Sequence, residues 1–96
     1  MSSPSFFALV SVVTTDFDDC SYSWNFISQG IMMLNTSATG IVIQYSFDGG
    51  TTVHGELSPD DSSSGVVFDN RHECAIKFRL KTASSPGTAR IEAWGN

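Results

Sequence analysis

Glu73-Cys74-Ala75-Ile76-Lys77-Phe78-Arg79-Leu80-Lys81 alternates between an apolar series (Cys74, Ile76, Phe78, Leu80) and a cationic one (Lys77, Arg79, Lys81). Successive side chains of an extended strand point to opposite faces, so this stretch predicts a strand with one face in a core and the other in water. Upstream, Tyr22, Trp24 and Phe26 alternate with Ser21, Ser23 and Asn25, and Ile41, Ile43, Tyr45 and Phe47 alternate with Val42, Gln44, Ser46 and Asp48. Helices cannot use a period of two. Shorter apolar runs at Ile31–Leu34, Thr51–Leu57, Val66–Asp69 and Ala89–Trp94 predict further strands. Phe6–Thr14 is almost continuously apolar and β-branched, the pattern of a strand covered on both faces.

Turn chemistry separates these runs. Asp16, Asp18 and Asp19 mark one turn, Gln29-Gly30 another, and Asn35–Gly40, Ser58–Gly65 and Ser84-Ser85-Pro86-Gly87 are polar loops. Asp48-Gly49-Gly50 supplies residues that accept positive φ and predicts a hairpin. Seven or eight short strands at this spacing predict an all-β fold, a single antiparallel β-sandwich of Greek-key or jelly-roll type. Residues 1–5 read as an N-terminal arm, with Pro4 disfavouring helix, and residues 6–96 as the sandwich domain.

Hydrophobic residues make up 41% of the 96 and charged residues 16%, which excludes a disordered tail and a membrane-embedded chain. No basic, apolar and small-residue succession of a signal peptide precedes the first strand. Charge is unevenly distributed. Residues 1–70 hold seven Asp and one Glu with no Lys or Arg, a formal −8; residues 71–96 hold Arg71, Lys77, Arg79, Lys81 and Arg90 against Glu73 and Glu92, a formal +3. If the C-terminal strands lie together, the subunit has an acidic and a basic end, suited to docking like subunits or a charged partner. The net −5 argues against a general nucleic-acid binder. Cys20 and Cys74 allow one pairing; without an export signal, two free buried thiols are expected.

Candidate chemistry is sparse. Ser46-Phe47-Asp48-Gly49-Gly50-Thr51-Thr52 fits S-x-D-x-G-x-T and resembles the Asp-box of sialidase propellers, a turn device in which the Asp side chain satisfies loop amides; Val53 stands where that motif usually has Trp. Ser46, Asp48, Gly49, Gly50 and Thr52 are therefore read as a structural turn. The acid clusters Asp16-Phe17-Asp18-Asp19 and Asp60-Asp61 lack the glycine and spaced acids of a calcium loop. His54, His72, Cys20 and Cys74 lack the paired spacing of a zinc site. No nucleophile elbow or phosphate loop is present, so no catalytic residue, metal or cofactor is expected and the protein is read as a non-enzyme. Tyr22, Trp24 and Phe26 are expected in the core. Trp94 lies beside Arg90 and Glu92 on the face opposite Ala89, Ile91 and Ala93, where it could anchor an interface or, with Tyr22 and Trp24, a sugar platform.

Two stretches, Ile41–Leu57 (IVIQYSFDGGTTVHGEL) and Phe68–Gly95 (FDNRHECAIKFRLKTASSPGTARIEAWG), resemble the small all-β virion proteins of tailed bacteriophages. The resemblance implies a capsid decoration or cement protein, made in the host cytoplasm and located on the outer capsid surface. It implies a homo-oligomer, often a trimer, whose partner is the major capsid protein, with no nucleic-acid or membrane partner. A head-fibre, neck or tail component falls within the same resemblance; a carbohydrate-binding sandwich is the alternative outside it. The candidate interface residues are Arg71, Lys77, Arg79, Lys81, Arg90 and Trp94.

Overall fold

A computed structural model describes residues 4–96. Eight strands, β1 (Ser5–Val12), β2 (Ser21–Ser23), β3 (Gly30–Asn35), β4 (Ile43–Ser46), β5 (Gly55–Leu57), β6 (Gly65–Phe68), β7 (Ala75–Leu80) and β8 (Gly87–Trp94), and one 3-10 turn at Phe17–Asp19 make up its regular structure. They form two four-stranded sheets, in the orders β1-β8-β3-β6 and β2-β7-β4-β5. Every pairing within them is antiparallel. This is the all-β sandwich that the period-two alternation predicts.

The core follows from that alternation. Ile76, Phe78 and Leu80 of β7 and Ile43 of β4 meet Ile31 and Met33 of β3, Ile91 of β8 and Val12 of β1, all fully buried. One polar side chain ties the layers together. Asn35, at the end of β3, donates from Nδ2 to the carbonyls of Ile41 (2.9 Å) and Leu57 (2.8 Å), while its Oδ1 accepts from Ser37 N–H (2.9 Å). A buried amide is tolerated because its polar atoms are satisfied.

Several expectations are corrected. Ser5 belongs to β1 and pairs with Trp94, and Pro4 accepts a hydrogen bond from Gly95 N–H (2.8 Å), so the chain is already part of a sheet where an arm was expected. Residues 1–3 of that arm lie outside the described residues. β1 is not covered on both faces: Phe7 and Leu9 are 51% and 72% exposed, because they lie on the outer face of the sheet and only the Val10–Val12 side is turned into the core. The Tyr22–Phe26 alternation yields only a three-residue strand. Trp24 N–H bonds to Cys74 O and Ser28 N–H to Glu73 O, so the chain bulges between residues 24 and 28 against two adjacent partners. Cys74 precedes β7 and is exposed, whereas Cys20 is buried; both are free thiols.

The segregated charges do not make two ends. β7 and β8 sit in different sheets, so the C-terminal cations are divided between opposite faces of the sandwich.

Candidate interaction surface

The cations of β7, Lys77 and Arg79, and Lys81 directly after it face outward from the second sheet, and each has a partner. Lys77 Nζ lies 2.6 Å from Asp18 Oδ1 and Lys81 Nζ 3.3 Å from Glu56 Oε1. Arg79 Nε donates to Gln44 Oε1 (2.7 Å), and its guanidinium stacks 4.3 Å above the Phe17 ring. Arg71, in the loop before β7, pairs with Glu73 Oε2 at 2.8 Å and stacks 4.3 Å above Phe47. Two acids from the first seventy residues, Asp18 and Glu56, thus pair with cations from the last twenty-six, whereas Arg79 meets a neutral amide and Arg71 an acid of its own segment. The β7-side cations are engaged within the subunit, while most acids of the first seventy residues form no ion pair among the described residues.

Arg90 and Trp94 lie on the other face of the molecule, the outer face of the β1-β8-β3-β6 sheet. Register places Arg90 between Leu9 and Leu34, and Glu92 between Phe7 and Met32. Val67 of β6 lies beyond Met32 and is 58% exposed. Arg90 carbon Cζ sits 5.5 Å from the Phe7 ring centroid, and among the described residues Arg90 forms no ion pair. The result is an apolar sheet face crossed by one cation and one anion. Two apolar groups, Phe7 with Leu9 and Met32 with Leu34 and Val67, thus flank the charged β8 row and make this face the candidate interaction surface.

Trp94 is half-buried and lies across Gly30. A Cβ at Gly30 would fall 2.5 Å from Trp94 Cε2 and 2.8 Å from the Phe68 carbonyl, so only glycine lets the indole lie flat on the sheet. Beside it is a depression of about 230 Å³ lined by Ser5, Phe6, Phe7, Glu92, Ala93 and Trp94. Trp24, by contrast, is buried, stacked near Phe6 with ring centroids 5.2 Å apart, and donates from Nε1 to Glu73 O (3.0 Å). It belongs to the core and offers no sugar platform.

The S-x-D-x-G-x-T segment joins β4 to β5. Ser46 Oγ donates to Asp48 Oδ1 (2.7 Å) and accepts from Gly50 N–H (3.0 Å), and Thr52 N–H donates to Asp48 Oδ1 (2.9 Å). Gly49 and Gly50 take φ of 77° and 97°, which side-chain-bearing residues rarely adopt. The Thr52 hydrogen bonds, aided by Ser46, hold the Asp48 carboxyl well below the usual carboxylate range. Ser46, Asp48, Gly49, Gly50 and Thr52 therefore occupy one self-satisfied turn.

Among the described residues no group of three or more His, Cys, Asp or Glu is placed to hold a metal ion, and no helix is long and apolar enough to cross a membrane. The sequence does not announce Phe7, Leu9 and Val67 as exposed, nor Met32 and Leu34 as half-buried on the same outer face. Apolar residues on both sides of a strand signal double burial as readily as an uncovered outer face, and periodicity alone cannot separate them.

No known protein family matches the sequence, and no curated protein does. Among solved structures, the chain is similar to the Drosophila NLP-core, described for pentamer formation and histone binding (15% identity, 97% of each chain, TM-score 0.43). It is similar also to a subunit of the disulfide-linked pili of Bacillus endospore appendages (17% identity, 100% of this chain and 93% of that one, TM-score 0.42). A third similarity is to the acid-stable capsid of Helicobacter pylori bacteriophage KHP30 (10% identity, 97% and 93%, TM-score 0.40). At scores this low none of the three bears on function, and the sandwich assignment rests on the strand pairing itself.

Proposed function

We propose that the protein is a non-enzymatic bacteriophage virion structural protein of the capsid decoration (cement) type. In this reading it binds the outer surface of the assembled capsid and stabilises contacts between major capsid protein subunits. The observation that carries the reading is the apolar outer face of the β1-β8-β3-β6 sheet, with Arg90 and Glu92 as its two charges. Such a face suits docking against a protein surface: apolar area supplies the driving force, and the two charges fix register. A clamp of this kind acts by mass action, because whatever binds only the assembled shell stabilises the assembled shell.

The test is co-sedimentation of the purified chain with capsids stripped of it, at low and high salt. Saturable binding is expected, and Met32→Glu and Val67→Glu, which place charge on the apolar face, are expected to weaken it by about tenfold or more. Absence of binding, or binding indifferent to both substitutions, overturns the reading. Charge reversal at Lys77, Arg79 and Lys81 reports separately on the opposite face and is expected to change binding far less.

A further inference from the structure

The geometry points to a second docking surface, the free edge of β1, and to a second copy of this chain as its occupant. The inference goes beyond the decoration reading and does not rest on it. Pro4 O accepts from Gly95 N–H, so Pro4 and the residues alternating with it, Phe6, Ala8 and Val10, direct their backbone groups toward β8. Ser5, Phe7, Leu9 and Ser11 then direct theirs outward. The approach of Cys20 Sγ to Ser11 O (3.5 Å) agrees with that phase and covers the edge at its Ser11 end. From Ser5 to Leu9 the outward N–H and C=O groups have no strand partner among the described residues.

The other three edge strands are protected and this one is not. β2 and β5 are three residues long, and β5 carries Glu56; β6 is four residues long and begins with glycine. β1 runs for eight residues, Ser-Phe-Phe-Ala-Leu-Val-Ser-Val, without a charge or a proline. Proteins normally blunt long edges with those devices, since a bare edge is a template for another strand.

The edge is self-complementary. An antiparallel pair of β1 strands related by a two-fold axis at Phe7 sets Phe7 opposite the same residue of the second copy and Ser5 opposite Leu9. Three such pairs close about six hydrogen bonds and satisfy every open group from Ser5 to Leu9. Phe7 and Leu9, the exposed apolar side chains of the edge, become cross-strand neighbours. Charge selects this direction. Asp16, Asp18 and Asp19 follow β1 directly, so antiparallel pairing carries the two acid turns to opposite ends, whereas parallel pairing would bring them side by side. A molecule of net charge −5 associates most readily through a strand that carries none. Strand pairing is a two-fold contact and closes as a dimer; a trimer would need a different surface.

The experiment is sedimentation equilibrium of the full chain over a concentration series, with two variants. Leu9→Lys places a charge on the edge. Phe7→Pro removes an outward N–H while leaving the β8 ladder intact, which edge strands tolerate. The wild type is expected to reach twice its 10.4 kDa chain mass, and each variant to raise the dimer dissociation constant by at least about tenfold while keeping the wild-type circular dichroism spectrum. If Phe7→Pro fails to fold, Leu9→Lys alone decides. A strictly monomeric wild type, a trimer, open-ended growth, or a dimer indifferent to Leu9→Lys overturns the inference.

Discussion

Lys77 Nζ lies 2.6 Å from Asp18 Oδ1, joining an acid of the first quarter of the chain to a cation of the last. The pair fastens the 3-10 turn to the outer face of β7, where Arg79 stacks on Phe17 of the same turn. Its energetic weight is small, since the Asp18 side chain is 74% exposed and an exposed pair gains little over its hydrated ions. Lys77→Ala is expected to lower unfolding free energy by less than about 1 kcal/mol, read from urea denaturation. A larger loss would mean that the turn depends on the ion pair for its order.

Gly30 and Trp94 give a sharper outcome. Gly30→Ala puts a methyl group into the indole and close to the Phe68 carbonyl, which the pairing of β6 with β3 holds in place. The ring must lift. A cost of about 1–3 kcal/mol is expected, the range for overpacking a tight contact. Trp94 emission should shift with it, while Trp24 stays buried. Unchanged stability and fluorescence would place the indole elsewhere.

The sandwich was legible because β4, β7 and β8 bury one face each, and a half-buried strand writes its burial into every second residue. The charge pattern misled for the opposite reason. Lys77, Arg79 and Lys81 are neighbours in sequence, but their partners Asp18, Gln44 and Glu56 come from strands and turns that only tertiary pairing brings alongside β7. Strand order was equally invisible: β1 and β8 pair across almost the whole chain, and no local residue choice announces which edge a strand will take. The bare edge and the apolar outer face follow from that order. Neither can be read from Phe6–Thr14 alone.

Asn35 is a buried polar anchor with three hydrogen bonds. Asn35→Ala leaves the Ile41 and Leu57 carbonyls without their donor in a buried setting, and Ser37 N–H without its acceptor. A loss of about 2–4 kcal/mol is expected, because the desolvation of stranded carbonyls adds to the missing bonds. The urea midpoint should fall with the slope unchanged. A loss below about 1 kcal/mol would show that water reaches these carbonyls and replaces the amide.

The two thiols differ in access. Cys74 is exposed and Cys20 buried, and burial pushes the Cys20 thiol upward from its ordinary value. A disulfide-exchange reagent at neutral pH should therefore titrate one thiol promptly and the second only after unfolding, with Cys74→Ser removing the prompt phase. Two prompt thiols, or none before reduction, would contradict this arrangement.

Acid sensitivity should trace partly to Asp48. Hydrogen bonds from Thr52 and Ser46 hold its folded carboxyl below the ordinary value of 3.8, so the unfolded chain takes up a proton at a pH where the folded one does not. A depressed carboxylate contributes stability that is fully present above 3.8 and is lost as pH falls toward the folded value. Glu56, held down by Gln44 and then Lys81, and Asp61, held down by Ser63, act in the same direction. The wild type should thus weaken as pH falls below the ordinary carboxyl values, 4.5 for Glu56 and 3.8 for the two aspartates. Asp48→Asn should be less stable than wild type at neutral pH, with the gap narrowing as pH drops, because protonation removes from the wild type what the substitution already lacks. Urea denaturation across that range decides the matter: a gap that stays constant with pH would assign the loss to turn geometry, and the carboxylate charge would have no part in it.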